Sequence, residues 1–336
     1  MRHIPFRLLA ASSLLVAGAA LAATRPHYGG VLRVEIREAV ESADPPAVGR
    51  SFAELTQAFT IARWEAGRRA VYQANESAPG GRPFLDSIDI QMGRSVRDQS
   101  IDLELGKADL VELELRRPAP GRKVWSSSPI RVVVLVFGAR VDDARLREAL
   151  ALSVDRVAIH NVLLQRQGEI SGALLPQWLS GLAFLFPTAT DVARARALVS
   201  GLPAARSLTI GVDNPAFQPL ASRIALNARD AGLQLTPAVV NATADVRLLE
   251  AWITSTDPAR ALAGVASSLG LPEPARSDSP EAVYAAERAL LEGYRVIPLF
   301  HLPEVYGVGP RVKGGPAITP LGEWRFENLW VEGARP

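Results

Sequence analysis

The hydrophobic period of this chain changes once, at the Pro118-Ala119-Pro120-Gly121 break, and that change constrains the fold more than any single motif. Before it, apolar residues alternate. Gly30 to Arg37 sets Leu32, Val34 and Ile36 on one face against Arg33, Glu35 and Arg37 on the other, the signature of a half-buried strand. Phe59 to Trp64 and Ala70 to Ala74 read as a hairpin turning at Glu65-Ala66-Gly67, with Gly supplying a positive φ. Phe84 to Met92 reads as a strand, Val96 to Leu105 as a helix stopped by Gly106, and Leu110 to Leu115 as a strand.

After the break, the apolar run Val132 to Phe137 reads as a fully buried strand, and helices then alternate with strands. Asp142 and Asp143 cap a helix whose Leu146, Leu150, Val154, Val157 and Val162 recur at helical spacing through Leu164. A helix over Asp191 to Val199 with Thr190 as cap, a strand Leu208 to Val212, a helix Gln218 to Ala231 and a strand Leu233 to Val240 follow. Glu281 to Leu291 is the last long helix, and Arg295 to Leu302 and Val305 to Val312 return to strand. A β-rich part and an α/β part, with the chain going back at its end, predict two lobes crossed twice. The boundaries place residues 23–129 plus 303–336 in a first lobe and 130–302 in a second.

Arg2, His3 and Arg7, the apolar stretch Leu8 to Ala19, and Ala20-Leu21-Ala22 form a signal peptide over 1–22, cleaved after Ala22. As a membrane anchor the stretch falls short of the roughly 20 apolar residues a span needs. With 37 Lys+Arg against 35 Asp+Glu, Arg2 and Arg7 supply the whole excess, so net charge gives no case for nucleic acid. Zero cysteines exclude disulfides, thiolate metal sites, a Cys nucleophile and a lipidated N-terminal Cys, so the exported protein is not a lipoprotein. These features point to the periplasm.

No G-x-S-x-G, Walker loop, H-E-x-x-H or dinucleotide fingerprint occurs, and no cofactor is implied. The histidines of the mature chain, His27, His160 and His301, are too dispersed for a metal cluster and read as structural. Asp142/Asp143 read as a cap and Asp86/Asp89 as a solvated strand flank. Trp178, in Leu174-Leu175-Pro176-Gln177-Trp178, and Trp252, before Thr254-Ser255-Thr256-Asp257-Pro258, sit at element ends where an indole lines a cleft or packs a domain edge equally well.

Several stretches together resemble the family 5 extracellular solute-binding proteins, the dipeptide, oligopeptide and nickel-type receptors of ABC importers. Tyr28-Gly29-Gly30-Val31-Leu32 with Asp44-Pro45 is similar to that family's opening. Phe59 to Asp89, with Trp64, Gly67, Asn75, Pro83, Leu85 and Asp86, resembles its hairpin region, and Ala108-Asp109-Leu110-Val111 the strand start after a helix. The most specific match is Asp143-Ala144-Arg145-Leu146-Arg147-Glu148-Ala149-Leu150-Ala151-Leu152-Ser153-Val154-Asp155-Arg156, in which Arg147 and Asp155 read as a helix-flank ion pair. Tyr284 to Leu291 followed by Ile297-Pro298-Leu299 resembles the last helix and return strand.

The resemblance implies an α/β, two-lobed periplasmic-binding-protein-like (type II) fold with a central ligand cleft. It implies a non-enzymatic receptor that closes on a small-molecule or peptide-like solute and passes it to an ABC permease in the inner membrane. A shortened relative serving as a periplasmic interaction or scaffold protein is the alternative, and a hydrolase with an unrecognised triad a third. Two departures stand out: only Ala47 to Ala58 stands where the family carries an extra domain, and Glu54 to Ala58 replaces its usual turn. Ser255 takes the place of the Asp that holds a peptide's amino group in that family. The implied ligand residues are Trp252, Ser255 and Asp257, with Trp178 and Arg247 as further candidates. Arg247 reads equally as a solvated side chain.

Overall fold

Alternation and turn chemistry build the first sheet from strands that mostly follow one another along the chain. The computed structural model describes residues 25–333 apart from 44–51, 53–54, 114–120, 182–184, 203–206 and 276–278. The signal peptide, Asp44-Pro45 and most of the Pro118 break lie outside the described residues. Strands β1 (Val31–Glu35), β2 (Phe59–Glu65), β3 (Arg69–Ala74) and β4 (Ser87–Gln91) precede helix α1 (Val96–Glu104), and β5 (Leu110–Glu112) and β6 (Lys123–Ser126) follow it. The β2–β3 turn places Gly67 at φ +65° with Glu41 Oε1 2.9 Å from where a Cβ would stand, which is why Gly occupies it. Arg69 pairs with Asp89 across β3 and β4, and Arg82 with Asp86.

The apolar run forms β7 (Arg131–Phe137). Two helices follow, α2 (Ala144–Ser153) and α3 (Arg156–Val162), then β8 (Glu169–Ile170), α4 (Gln177–Ser180) and α5 (Val192–Ser200). Next come β9 (Ser207–Val212), α6 (Gln218–Asp230), β10 (Gln234–Pro237), β11 (Val246–Trp252), α7 (Pro258–Leu269), α8 (Pro280–Leu291) and β12 (Val296–Leu302). Strands β13 (Val305–Val308), β14 (Val312–Lys313) and β15 (Trp330–Val331) end the chain. The first sheet has seven strands in the order β2-β3-β4-β1-β5-β13-β6, the second six in the order β10-β9-β11-β7-β12-β8. Strand β7 lies between β11 and β12, antiparallel to both, and is buried except for partial exposure of Val136.

Each sheet has its own core. Around the first, Trp324 is wholly buried among Phe52, Tyr306 and Phe326, with ring centroids 5.3, 6.0 and 5.1 Å away. The aliphatic core of the second sheet covers β7, β11 and β12 with α2, α6 and α7. Leu321, from the C-terminal stretch, packs against this second core.

The structure differs from sequence expectation at definite places. The helix expected through Leu164 is two, because Val154 turns extended and Asp155 accepts from the Ala158 N–H at 2.8 Å to start α3. Arg147 and Asp155 are therefore not an ion pair: Arg147 is buried and donates to the carbonyls of Gly293 and Val141. Asp191, not Thr190, caps α5; the Thr190 hydroxyl donates to the Val154 carbonyl. Helix α7 and strand β6 had no counterpart in the periodicity reading. Among the described residues no helix is long and apolar enough to cross a membrane.

Candidate functional site

The chain passes from the first sheet to the second through Ser127 to Ile130 and returns through Pro303 and Glu304. The two crossings are bonded to each other: the Ser127 N–H donates to the Glu304 carbonyl at 3.0 Å, and the Glu304 N–H to the Ser127 hydroxyl at 2.9 Å. The Ile130 N–H reaches the Leu302 carbonyl at 3.1 Å. Two adjacent, mutually bonded segments are thus the backbone links between the two sheets.

Carboxyl ends of strands from both sheets converge here, where an α/β sheet presents its binding crevice. From the first sheet, Arg37 follows β1 and its Nε lies 2.9 Å from the Glu112 carboxylate at the end of β5. The next residue, Leu113, donates to Val305 beside the return crossing. From the second sheet, β11 ends in Glu250, Ala251 and Trp252, and the following Ile253 N–H donates to the Ile130 carbonyl at 2.7 Å. Trp252 pairs with Arg131, the first residue of β7. The Arg131 guanidinium stands 5.2 Å from the Trp252 ring centre and 5.9 Å from that of Phe217, and it donates to Glu250 Oε2 at 2.6 and 3.0 Å. Asn214 holds the other Glu250 oxygen at 2.9 Å.

Burial lowers the Arg37 affinity for its proton, and the charges of Glu112 and Glu250 with the Tyr306 phenol more than restore it, so the guanidinium is held above its ordinary range. Glu250 belongs to the second sheet and Arg37 to the first.

A cavity of about 490 Å³ opens in the second half between the end of β9, strand β11 and the last turn of α7. Its polar lining comprises Asp213, Asn214, Arg247, Glu250, Ser267 and Ser268 over Leu249 and Leu269. Arg247 is paired to Asp213 at 2.5 Å. The cavity shares Glu250 and Asn214 with the Arg131 cluster.

Of the residues named from sequence, Arg247 lines this cavity and Trp252 stands one side chain away, through Arg131 and Glu250. Trp178 donates its indole N–H to the Pro129 carbonyl at 3.0 Å, which sets it against the first crossing. Ser255 and Asp257 serve a helix start: the Asp257 N–H donates to the Ser255 hydroxyl, and Asp257 accepts from the Arg260 N–H at 2.8 Å as cap of α7. Neither lines the cavity. Sequence reasoning missed Arg37, Glu112, Arg131, Asn214 and Glu250, whose meeting depends on strand pairing. The histidines bond backbone carbonyls: His27 that of Val331, His160 that of Gly168 and His301 that of Leu174.

Residues 19–264 match the profile of the bacterial extracellular solute-binding proteins, family 5 Middle. No curated protein matches the chain. Among solved structures it is similar to the ABC transporter substrate binding protein CtaP from Listeria monocytogenes, with 14% identity, TM-score 0.67, and coverage of 81% of this chain and 66% of that one. It is similar to a dipeptide binding protein from Pseudoalteromonas sp. SM9913 in complex with Met-Leu, with 13% identity, TM-score 0.66, and coverage of 82% and 64%. NikA from Staphylococcus aureus in complex with Ni(L-His)2 follows with 13% identity, TM-score 0.65, and coverage of 83% and 71%. The chain thus spans just under two thirds of the first two proteins. The fold is α/β with two sheets and is that of the type II periplasmic binding proteins.

Proposed function

The chain belongs to the bacterial extracellular solute-binding proteins of family 5, and we propose that it is the receptor of an ABC importer, binding a peptide-like or other small organic solute between two lobes. Residues 23–129 with 303–336 form one lobe and 130–302 the other. Closure about the Ser127–Ile130 and Pro303–Glu304 crossings traps the solute, with no bond chemistry and no cofactor. The signal peptide 1–22 delivers the mature protein to the periplasm, where a permease of the inner membrane receives the solute. The observation that carries this reading is the convergence of Arg37–Glu112 and Arg131–Glu250 from opposite sheets beside two mutually bonded crossings. Trp252 and Arg247 face the solute, and Trp178, Ser255 and Asp257 border the cleft. Ser255 carries no charge, and Asp213 and Glu250 of the cavity are each paired to an arginine, so the site discriminates weakly for a free amino group.

Trp252 is the ring against which Arg131 is held, so its loss disorders that wall. Trp252→Ala is expected to weaken solute binding by about 1 kcal/mol or more, as loss of a central aromatic does. The test screens the mature protein against dipeptides and small polar organic compounds by thermal denaturation, then measures small-angle scattering with each stabilising compound. A ligand that prefers the folded form raises its stability. Stabilisation with a smaller radius of gyration is the expected result. Stabilisation with unchanged dimensions overturns closure, and unaltered affinity in Trp252→Ala overturns the role of that ring.

A further inference from the structure

Resting on the receptor reading, we infer that the solute is an uncharged polyhydroxy compound, a small saccharide or polyol, held in the cavity between β11 and the end of α7. The arginines around the site already have carboxylate partners. Arg247 is bonded to Asp213, Arg131 to Glu250 and, on the opposite lobe, Arg37 to Glu112. A zwitterionic solute needs a carboxylate for its ammonium and a cation for its carboxylate, and here each arginine of the site is already matched by one carboxylate, so a zwitterion meets no unbalanced charge. Parting Arg131 from Glu250, the well-buried pair, leaves an uncompensated charge and is strongly unfavourable, whereas the exposed Arg247–Asp213 pair parts at small cost.

Hydroxyl groups make no such demand, because each donates and accepts. An ionised carboxylate offers about four lone-pair sites and a guanidinium five N–H groups. Glu250 accepts from Asn214 and Arg131, and Asp213 from Arg247. The remaining lone pairs on the two carboxylates suit hydroxyl donors. Ser268 donates to the Gly264 carbonyl within α7, which leaves its oxygen free to accept. The lining is mainly polar, so it gives an apolar peptide side chain little to bury. At about 490 Å³ the space lies in the lower part of the range of roughly 300–1,000 Å³ for small-ligand sites, and suits one or two sugar rings better than an extended oligopeptide.

The test uses titration calorimetry on the mature protein with glucose, maltose and sorbitol, and with Ala-Leu and its N-acetylated amide, each at low and high salt. The expected result is binding of at least one polyhydroxy probe with an affinity that salt leaves unchanged. Ser267→Phe, which puts bulk at the cavity rim on an exposed helix position, is expected to weaken that binding at least tenfold while leaving the unliganded melting temperature in place. Binding of Ala-Leu without any polyhydroxy probe overturns the solute class and leaves the receptor reading standing. Polyhydroxy binding indifferent to Ser267→Phe overturns the location. Binding of none of the probes overturns the class and counts against the receptor reading too.

Discussion

Arg156→Ala lowers the unfolding free energy by about 4 kcal/mol at neutral pH, the sum expected from unpaired buried carbonyls and a large cavity. Arg156 is wholly buried and its hydrogen bonds run to carbonyl oxygens. Nε and Nη2 donate to Pro298 at 3.3 and 3.1 Å, and Nη1 to Ala151 at 3.3 Å and Thr188 at 3.5 Å. Pro298 is where β12 slips its register against β7, so the guanidinium satisfies a carbonyl beside an irregular step of the ladder. Burial pulls the guanidinium down to about 10, so it stays protonated at pH 7 but at a cost. The charge therefore opposes folding, while the bonds and the filled volume favour it. Because the folded value is depressed, that cost is present at every pH below about 10 and is relieved only as pH rises through 10 towards the ordinary arginine range. Arg156→Met keeps most of the volume and removes the charge, and is expected to cost only about half as much as alanine. Urea denaturation of both variants checks this. A loss below about 1 kcal/mol for alanine would show that the carbonyls find other partners.

Arg156 was legible in the sequence as the last residue of a family motif, yet nothing local revealed that it ends under β12, 142 residues away. The same division holds through the chain. The β2–β3 hairpin, β7 and α6 were read correctly because period and turn residues are local. The break after Ser153 was overlooked although Asp155 is a cap residue, since apolar spacing continued across it. Helix α7 was overlooked although Asp257-Pro258 is a cap followed by proline at the first helical position. Asp257, which the resemblance implies as a ligand residue, is the side chain that caps this helix. The Arg131–Glu250 pair joins residues 119 apart through antiparallel pairing, and the Arg37–Glu112 pair residues 75 apart through parallel strands. Register of that kind is a tertiary fact, and one chain read alone does not supply it.

Glu287→Gln is expected to stabilise the protein above pH 7 by as much as about 3 kcal/mol, the free energy of a shift of some 2.5 pH units. The residue sits in the buried stripe of α8 with Val283 and Leu291, one helical turn from each. Its Oε1 accepts from the Leu174 and Leu175 N–H groups at 2.5 and 2.8 Å, and Oε2 is buried without a partner. Burial outweighs those two bonds and pushes the carboxyl up to about 7. A carboxyl raised on folding stabilises the protonated protein, so this contribution fades as pH rises from about 4.5 to 7. His301 acts in the opposite sense on the same loop. It is fully buried, donates to the Leu174 carbonyl at 3.2 Å, and burial pulls it down to about 4. Its contribution is therefore lost as pH falls from about 6.5 to 4. In the wild type the two slopes offset each other between about pH 4.5 and 6.5. Glutamine mimics the protonated acid, so the variant matches the wild type near pH 4.5, gains on it with rising pH and exposes the His301 slope. Urea midpoints from pH 4 to 8.5 read this directly, and a stability difference independent of pH would refute it. The clamped loop leads into α4 and Trp178, whose indole is bonded to Pro129 at the first crossing. The first crossing is thus tied, through Trp178, to a loop held by two titratable groups whose responses to pH oppose each other.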